Sequence, residues 1–197
     1  VDITGYWVAL VTEDWLWRMI TPKKGDVTSV PVNPNGRRVA AEWDLARDNA
    51  SGEQCRAFGA PGLMRQPLRL HITWQDDSTL KIETDIGEQT RLLHFTANAA
   101  PAQPPSWQGT SVAQWTKPTA VDMMRVMFGG GGPPSQEPAK AGLKVITTNL
   151  RAGYLRKNGV PYSDSTLLTE YFTRMAAAGN DYLVVLSVVK DPVYLTP

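Results

Sequence analysis

The sequence predicts a mostly β protein: one antiparallel barrel of about eight strands with a single helix on its side. Three observations carry that prediction. The stretch Leu68–Phe95 reads as three extended runs broken by turn signals at Gln75–Ser78 and Asp85–Glu88, an up-down-up meander. Further extended runs follow at Leu143–Leu150, Thr166–Met175 and Tyr182–Val189. Only Arg37–Ala50 carries a long helical repeat. A two-sheet sandwich is the rival arrangement of the same strands.

Side chains alternate across a strand, so the meander can be read face by face. Leu68, Leu70, Ile72 and Trp74 share one face of its first run, and Leu80, Ile82 and Thr84 share one face of its second. In the third run Arg91 stands on the face of Leu93 and Phe95. A charge among apolar neighbours is costly unless paired, so Arg91 needs a partner or a wet cavity. Glu170 has the same character, sharing a face with Leu168, Phe172 and Arg174. A bidentate Arg91–Glu170 pair inside a barrel satisfies both charges. Such a pair is either a polar anchor in a ligand cavity, or a base with an orienting cation, or an ion pair that sets strand register.

Taken in order, Asp2–Thr12 is a turn followed by a first strand. Gly5-x-Trp7 at its head resembles the opening of lipocalins and other calycins, whose Trp plugs one end of the barrel. The resemblance implies an antiparallel lipocalin-like (calycin) barrel. Asp14–Ile20 is expected to continue as an extended piece, and Pro22–Gly25 and Pro31–Gly36 as turns. In Arg37–Ala50 the residues Val39, Ala40, Trp43, Ala46 and Ala50 recur at helical spacing, with Asn35 as cap and Gly52 as stop. This is the lid or side helix. Gly52–Pro67 follows as a loop that holds Cys55, expected to be a structural thiol.

After the meander, Ala97–Ser106 is a Pro/Ala connector and Trp107–Trp115 a strand. Residues 117–142 are expected to be a mobile insertion, Met-rich at Ala120–Phe128 and then Gly/Pro-rich. Arg151–Ser163 is expected to be a broad solvated loop turning at Asn158-Gly159, and Tyr182–Val189, with little alternation, a strand covered on both faces or central in a barrel wall. The chain is expected to continue past Pro197.

The whole, residues 1–197, is expected to form one domain. A net charge of +1 gives no basic surface to favour nucleic acid as partner. No apolar run approaches the roughly 20 residues that span a bilayer. One cysteine excludes an internal disulfide. The chain begins without methionine, which fits a removed secretory signal and a periplasmic or secreted protein. Seven tryptophans suit either the walls of a ligand cavity or a Trp-rich core.

A set of short pieces recurs in a fixed order: Cys55…Gly62…Met64, Gln89-Thr-Arg91, Pro105-Ser-Trp107-x-Gly109…Trp115, Leu143-Lys-Val145-x-Thr147, Ser163-Asp…Thr169-Glu170-x-Phe172-x-Arg174 and Asp191-Pro192-x-Tyr194. Together they resemble a family of uncharacterised secreted bacterial proteins, over residues 50–197. The resemblance implies export and a β-rich, lipocalin-like barrel. It implies no particular activity and no catalytic residues. The long Gly/Pro insertion departs from the shorter connection that the family leads one to expect.

The ligand-binding candidates are Arg91, Glu170, Trp74, Phe95, Trp115, Phe172 and Tyr154; the acid–base candidates are Glu170, His71 and His94. His71 and His94 are the only histidines, and neither HxH nor HxxxH spacing occurs, so no metal site is expected; a third ligand would have to be Glu83, Asp85 or Glu170. The chain has no Walker A loop, no Rossmann glycine fingerprint and no Gly-x-Ser-x-Gly elbow, and no cofactor is expected. Three functions follow. The first is an exported binding protein for a small hydrophobic molecule. The second is a cofactor-free lyase, isomerase or hydrolase acting on such a molecule in the barrel. The third is a structural or assembly subunit, a homo-oligomer included.

Overall fold

The computed structural model describes residues 2–96, 103–116 and 142–196. The connector at 97–102 and nearly all of the 117–142 insertion lie outside the described residues.

Eight strands make one curled, nearly closed sheet in the order β1 (Gly5–Val8), β2 (Arg69–Asp76), β3 (Thr79–Thr84), β4 (Thr90–His94), β5 (Thr110–Thr116), β6 (Gly142–Thr148), β9 (Leu167–Ala177) and β10 (Asn180–Lys190). The meander stands where the alternation put it. Leu70 opposes Thr84, Ile72 opposes Ile82 and Ile82 opposes Arg91, so one face of all three strands points inward. Asp76 shapes the β2–β3 turn by accepting the amide of Ser78 at 2.8 Å.

The sheet is mixed rather than purely antiparallel, because β4 and β5 run parallel. A parallel neighbour needs a crossover that returns the chain to the starting end, and the segment between His94 and Thr110 is that crossover. Strand direction leaves no trace in side-chain alternation, so the sequence pattern reads the same either way.

Among the described residues there are four helices, not one. The stretch expected to be extended at 14–20 is α1 (Trp15–Met19), with none of its residues buried. The expected 37–50 helix is two, α2 (Pro34–Glu42) and α3 (Leu45–Ala50). Asn33 caps α2 in place of Asn35, accepting the Gly36 amide, and Pro34 takes the first helical position. The break falls at Asp44, whose extended backbone and carboxylate cap α3 through the amides of Ala46 and Arg47. Gly52, at φ 73°, follows α3 as expected of a helix stop. The expected loop at 52–67 carries a 3-10 turn (Gln54–Phe58) and α4 (Ala60–Leu63).

Arg151–Ser163 is not a solvated loop. It is a hairpin of β7 (Gly153–Arg156) and β8 (Val160–Tyr162), and every residue of both strands is buried. Leu155, Val160 and Tyr162 join Val32, Ala60, Leu150 and Leu168 in a second apolar cluster between sheet and helices. The main core lies inside the sheet, built from Ile3, Leu63, Leu70, Ile72, Leu80, Ile82, Leu93, Val145 and Phe172 among others.

β10 is the last strand of the sheet, neither covered on both faces nor central in the wall. Val184 and Leu186 on its outer face are 48% and 43% exposed, while Leu183 and Val185 turn toward the core.

Candidate functional site

The two charges that the sequence leaves facing the interior meet there. Arg91 on β4 and Glu170 on β9 are 1% and 0% exposed. Arg91 Nη1 donates to Glu170 Oε1 at 3.2 Å and Nη2 to Oε2 at 2.6 Å. Nη2 also reaches Thr147 Oγ1 at 3.3 Å, and Thr147 shares a hydrogen bond of 2.8 Å with Ser111. Arg91 Nε has no hydrogen-bond partner among the described residues. The pair therefore cross-braces β4, β6 and β9 through a fully desolvated polar chain. Both carboxylate oxygens of Glu170 are engaged, so Glu170 would have to leave Arg91 before it took a proton from a substrate.

The structure does not bring the histidines to that carboxylate. His71 sits on the outer face of β2, stacked flat on Tyr6 at 4.0 Å, with Nδ1 3.6 Å from Glu83 Oε2. His94 is on the outer face of β4, its Nδ1 3.4 Å from Thr79 Oγ1. Their partners on β3, Glu83 and Thr79, are four positions apart, about 13 Å along the strand. Among the described residues no group of three or more His, Cys, Asp or Glu is placed to hold a metal ion. Cys55 is half-buried, with only a weak contact of 3.9 Å from Gln89 Nε2.

The aromatic candidates separate into three places. Trp74, Phe95 and Trp115 form a row on the inner face, with ring centroids 5.3 and 5.4 Å apart. Trp74 and Trp115 are 46% and 39% exposed, so the row forms a rim rather than a sealed wall. Phe172 is buried in the main core. Tyr154 is not in the barrel at all. It lies on β7, where its hydroxyl donates to Asp48 at 2.9 Å and its ring lies under Arg56 at 4.6 Å. Burial, with the Asp48 carboxylate next, pushes its phenol well above the usual range.

A hollow lies where the wall fails to close. Among the described residues β1 and β10 pair on one side only, and the gap between them is a groove of about 990 Å³. Trp7, Met64, Leu68, Leu70, Leu183 and Val185 are its apolar lining, and the Glu13–Arg18 ion pair of 2.8 Å lines it as well. At one end Arg174 spans the gap: it donates to Asp2 O at 2.9 Å and to Asp181 at 2.8 Å, over the Trp7 ring at 5.8 Å. The outer lips are apolar as well, with Tyr6 and Val8 81% and 71% exposed facing Val184. Sequence reading placed Trp7 at a barrel end and Leu70 on an inward face, yet missed the groove. Its only trace is two uncharged segments, Gly5–Thr12 and Tyr182–Val189.

Comparison with family models, curated proteins and solved structures finds no match to this chain. No helix among the described residues is long and apolar enough to cross a membrane.

Proposed function

We propose that this chain is an exported binding protein for a small, largely apolar guest, held in the groove between β1 and β10. One observation carries the reading: the curled sheet stops short of closure and leaves a partly apolar hollow of about 990 Å³, near the upper end of the range for small-molecule sites. The exposed Tyr6, Val8 and Val184 around the mouth support it, because a clustered exposed apolar patch marks an interaction site. Arg91 and Glu170 serve this reading as a brace that keeps the wall curled, not as the guest's polar contact. The acid–base candidates Glu170, His71 and His94 do not line this groove, so the binding reading stands first.

The test is a titration with the neutral dye N-phenyl-1-naphthylamine, which brightens in apolar surroundings. Saturable binding is expected, weakened at least tenfold in Leu183→Glu with an unchanged far-ultraviolet spectrum. Equal dye binding by wild type and Leu183→Glu would sink the proposal. If Leu183→Glu does not fold, Val184→Lys at the exposed lip serves in its place.

A further inference from the structure

We infer that the guest class of this groove is an extended peptide segment with apolar side chains at its middle, which enters as a ninth strand beside the eight and hydrogen-bonds to both β1 and β10. The inference rests on the groove being a binding site and names what fits it.

Strand direction is the first argument. From β1 to β10 the sheet makes six antiparallel steps and one parallel step, β4 to β5. Six reversals return the chain to its starting direction, so β1 and β10 run the same way. Direct pairing would be parallel, the weaker ladder. One strand running the opposite way between them makes an antiparallel ladder on each side.

The edges are the second argument. A free edge is ordinarily protected by charge, proline or a bulge. Gly5–Val8 carries no charge or proline, and β10 carries charge only near its ends, at Asp181 and Lys190. Inward Trp7, Leu183 and Val185 and outward Tyr6, Val8 and Val184 flank the gap, so the middle of an inserted strand has apolar neighbours, while Glu13, Arg18, Arg174 and Asp181 add charge to the lining.

Size is the third. A strand residue in a packed sheet takes about 3.3 × 4.8 × 10 Å, roughly 160 Å³. A groove of about 990 Å³ therefore holds about six residues at that volume, with the Arg174–Asp181 bridge at one end of the lip.

The probe is the capped heptapeptide acetyl-Thr-Val-Thr-Val-Thr-Val-Thr-amide, together with the same peptide N-methylated at its valines. It is added to the full chain loaded with N-phenyl-1-naphthylamine. The unmodified peptide is expected to displace the dye and to slow amide exchange at residues 5–8 and 182–188. N-methylation, which removes backbone donors, is expected to weaken displacement at least tenfold. Val184→Lys is expected to weaken it at least fivefold without lowering the melting temperature. Dye binding that the peptide cannot displace would overturn the peptide class and leave the groove reading intact. No dye binding at all would overturn both. Equal displacement by the two peptides would remove the backbone pairing. A concentration-dependent dimer abolished by Val184→Lys would show that the occupant is a second copy of this chain, which also overturns the inference.

Discussion

Arg91 and Glu170, on strands three steps apart in the sheet order, close a two-point ion pair across the barrel interior at 3.2 and 2.6 Å with both side chains out of solvent. Removing one member leaves the other buried and uncompensated. Glu170→Gln is expected to destabilise by about 3 kcal/mol, read from urea unfolding, while the Arg91→Met/Glu170→Met double variant recovers most of that loss. A Glu170→Gln loss under about 1 kcal/mol would show that the pair contributes little to holding the wall.

Arg156 is the opposite case. It is buried on β7, its guanidinium 5.9 Å from the Trp17 ring, and Nη1 and Nη2 have no hydrogen-bond partner among the described residues. Burial, and then the nearby Arg65, holds its pKa below the usual range. A desolvated cation without partners costs free energy. Arg156→Met is expected to leave stability unchanged or to raise it by up to about 1 kcal/mol. A loss above about 2 kcal/mol would mean the guanidinium is bonded after all.

Asp191 is a buried carboxylate through which pH acts on stability. Burial favours its neutral form, but that is outweighed by donors: the Thr166 hydroxyl and Ser163 amide to Oδ2, and the Val193 and Tyr194 amides to Oδ1 at 2.8 and 2.7 Å. Its folded pKa therefore lies below the unfolded value of about 3.9. The stabilisation is complete above that value and is lost as pH falls through the folded pKa. Asp191→Asn is expected to be less stable at neutral pH and to show a flatter stability profile below about pH 5, measured by thermal melts across pH. A variant with the wild-type acid limb would assign the acid sensitivity elsewhere.

Gly109 enters β5 at φ 62°, and a Cβ there would lie 2.4 Å from Thr148 O and 2.9 Å from Leu150 Cδ2. Backbone and neighbour both resist a side chain. Gly109→Ala is expected to lose at least about 2 kcal/mol in the same urea assay. A neutral substitution would mean that β5 and β6 separate easily at this end.

By itself the sequence determined the strands of the meander, β6, β9 and β10, and the inward faces that carry Leu70, Ile82, Arg91 and Glu170, because period-two alternation is written directly in side-chain polarity. It also required Arg91 to have a partner or a wet cavity, since desolvation makes a lone interior charge costly. Tertiary structure alone decided the rest. Trp15–Met19 turns helical because a five-residue apolar stretch has no period of its own and is held by Trp17 to Asp26 and Arg18 to the Arg65 carbonyl. The hairpin at Gly153–Tyr162 is buried because α2 and α4 pack on it, a contact between segments more than 90 residues apart. The parallel step between β4 and β5 orients β1 and β10 alike, and the free edges that frame the groove follow from that direction, which polarity patterns do not encode.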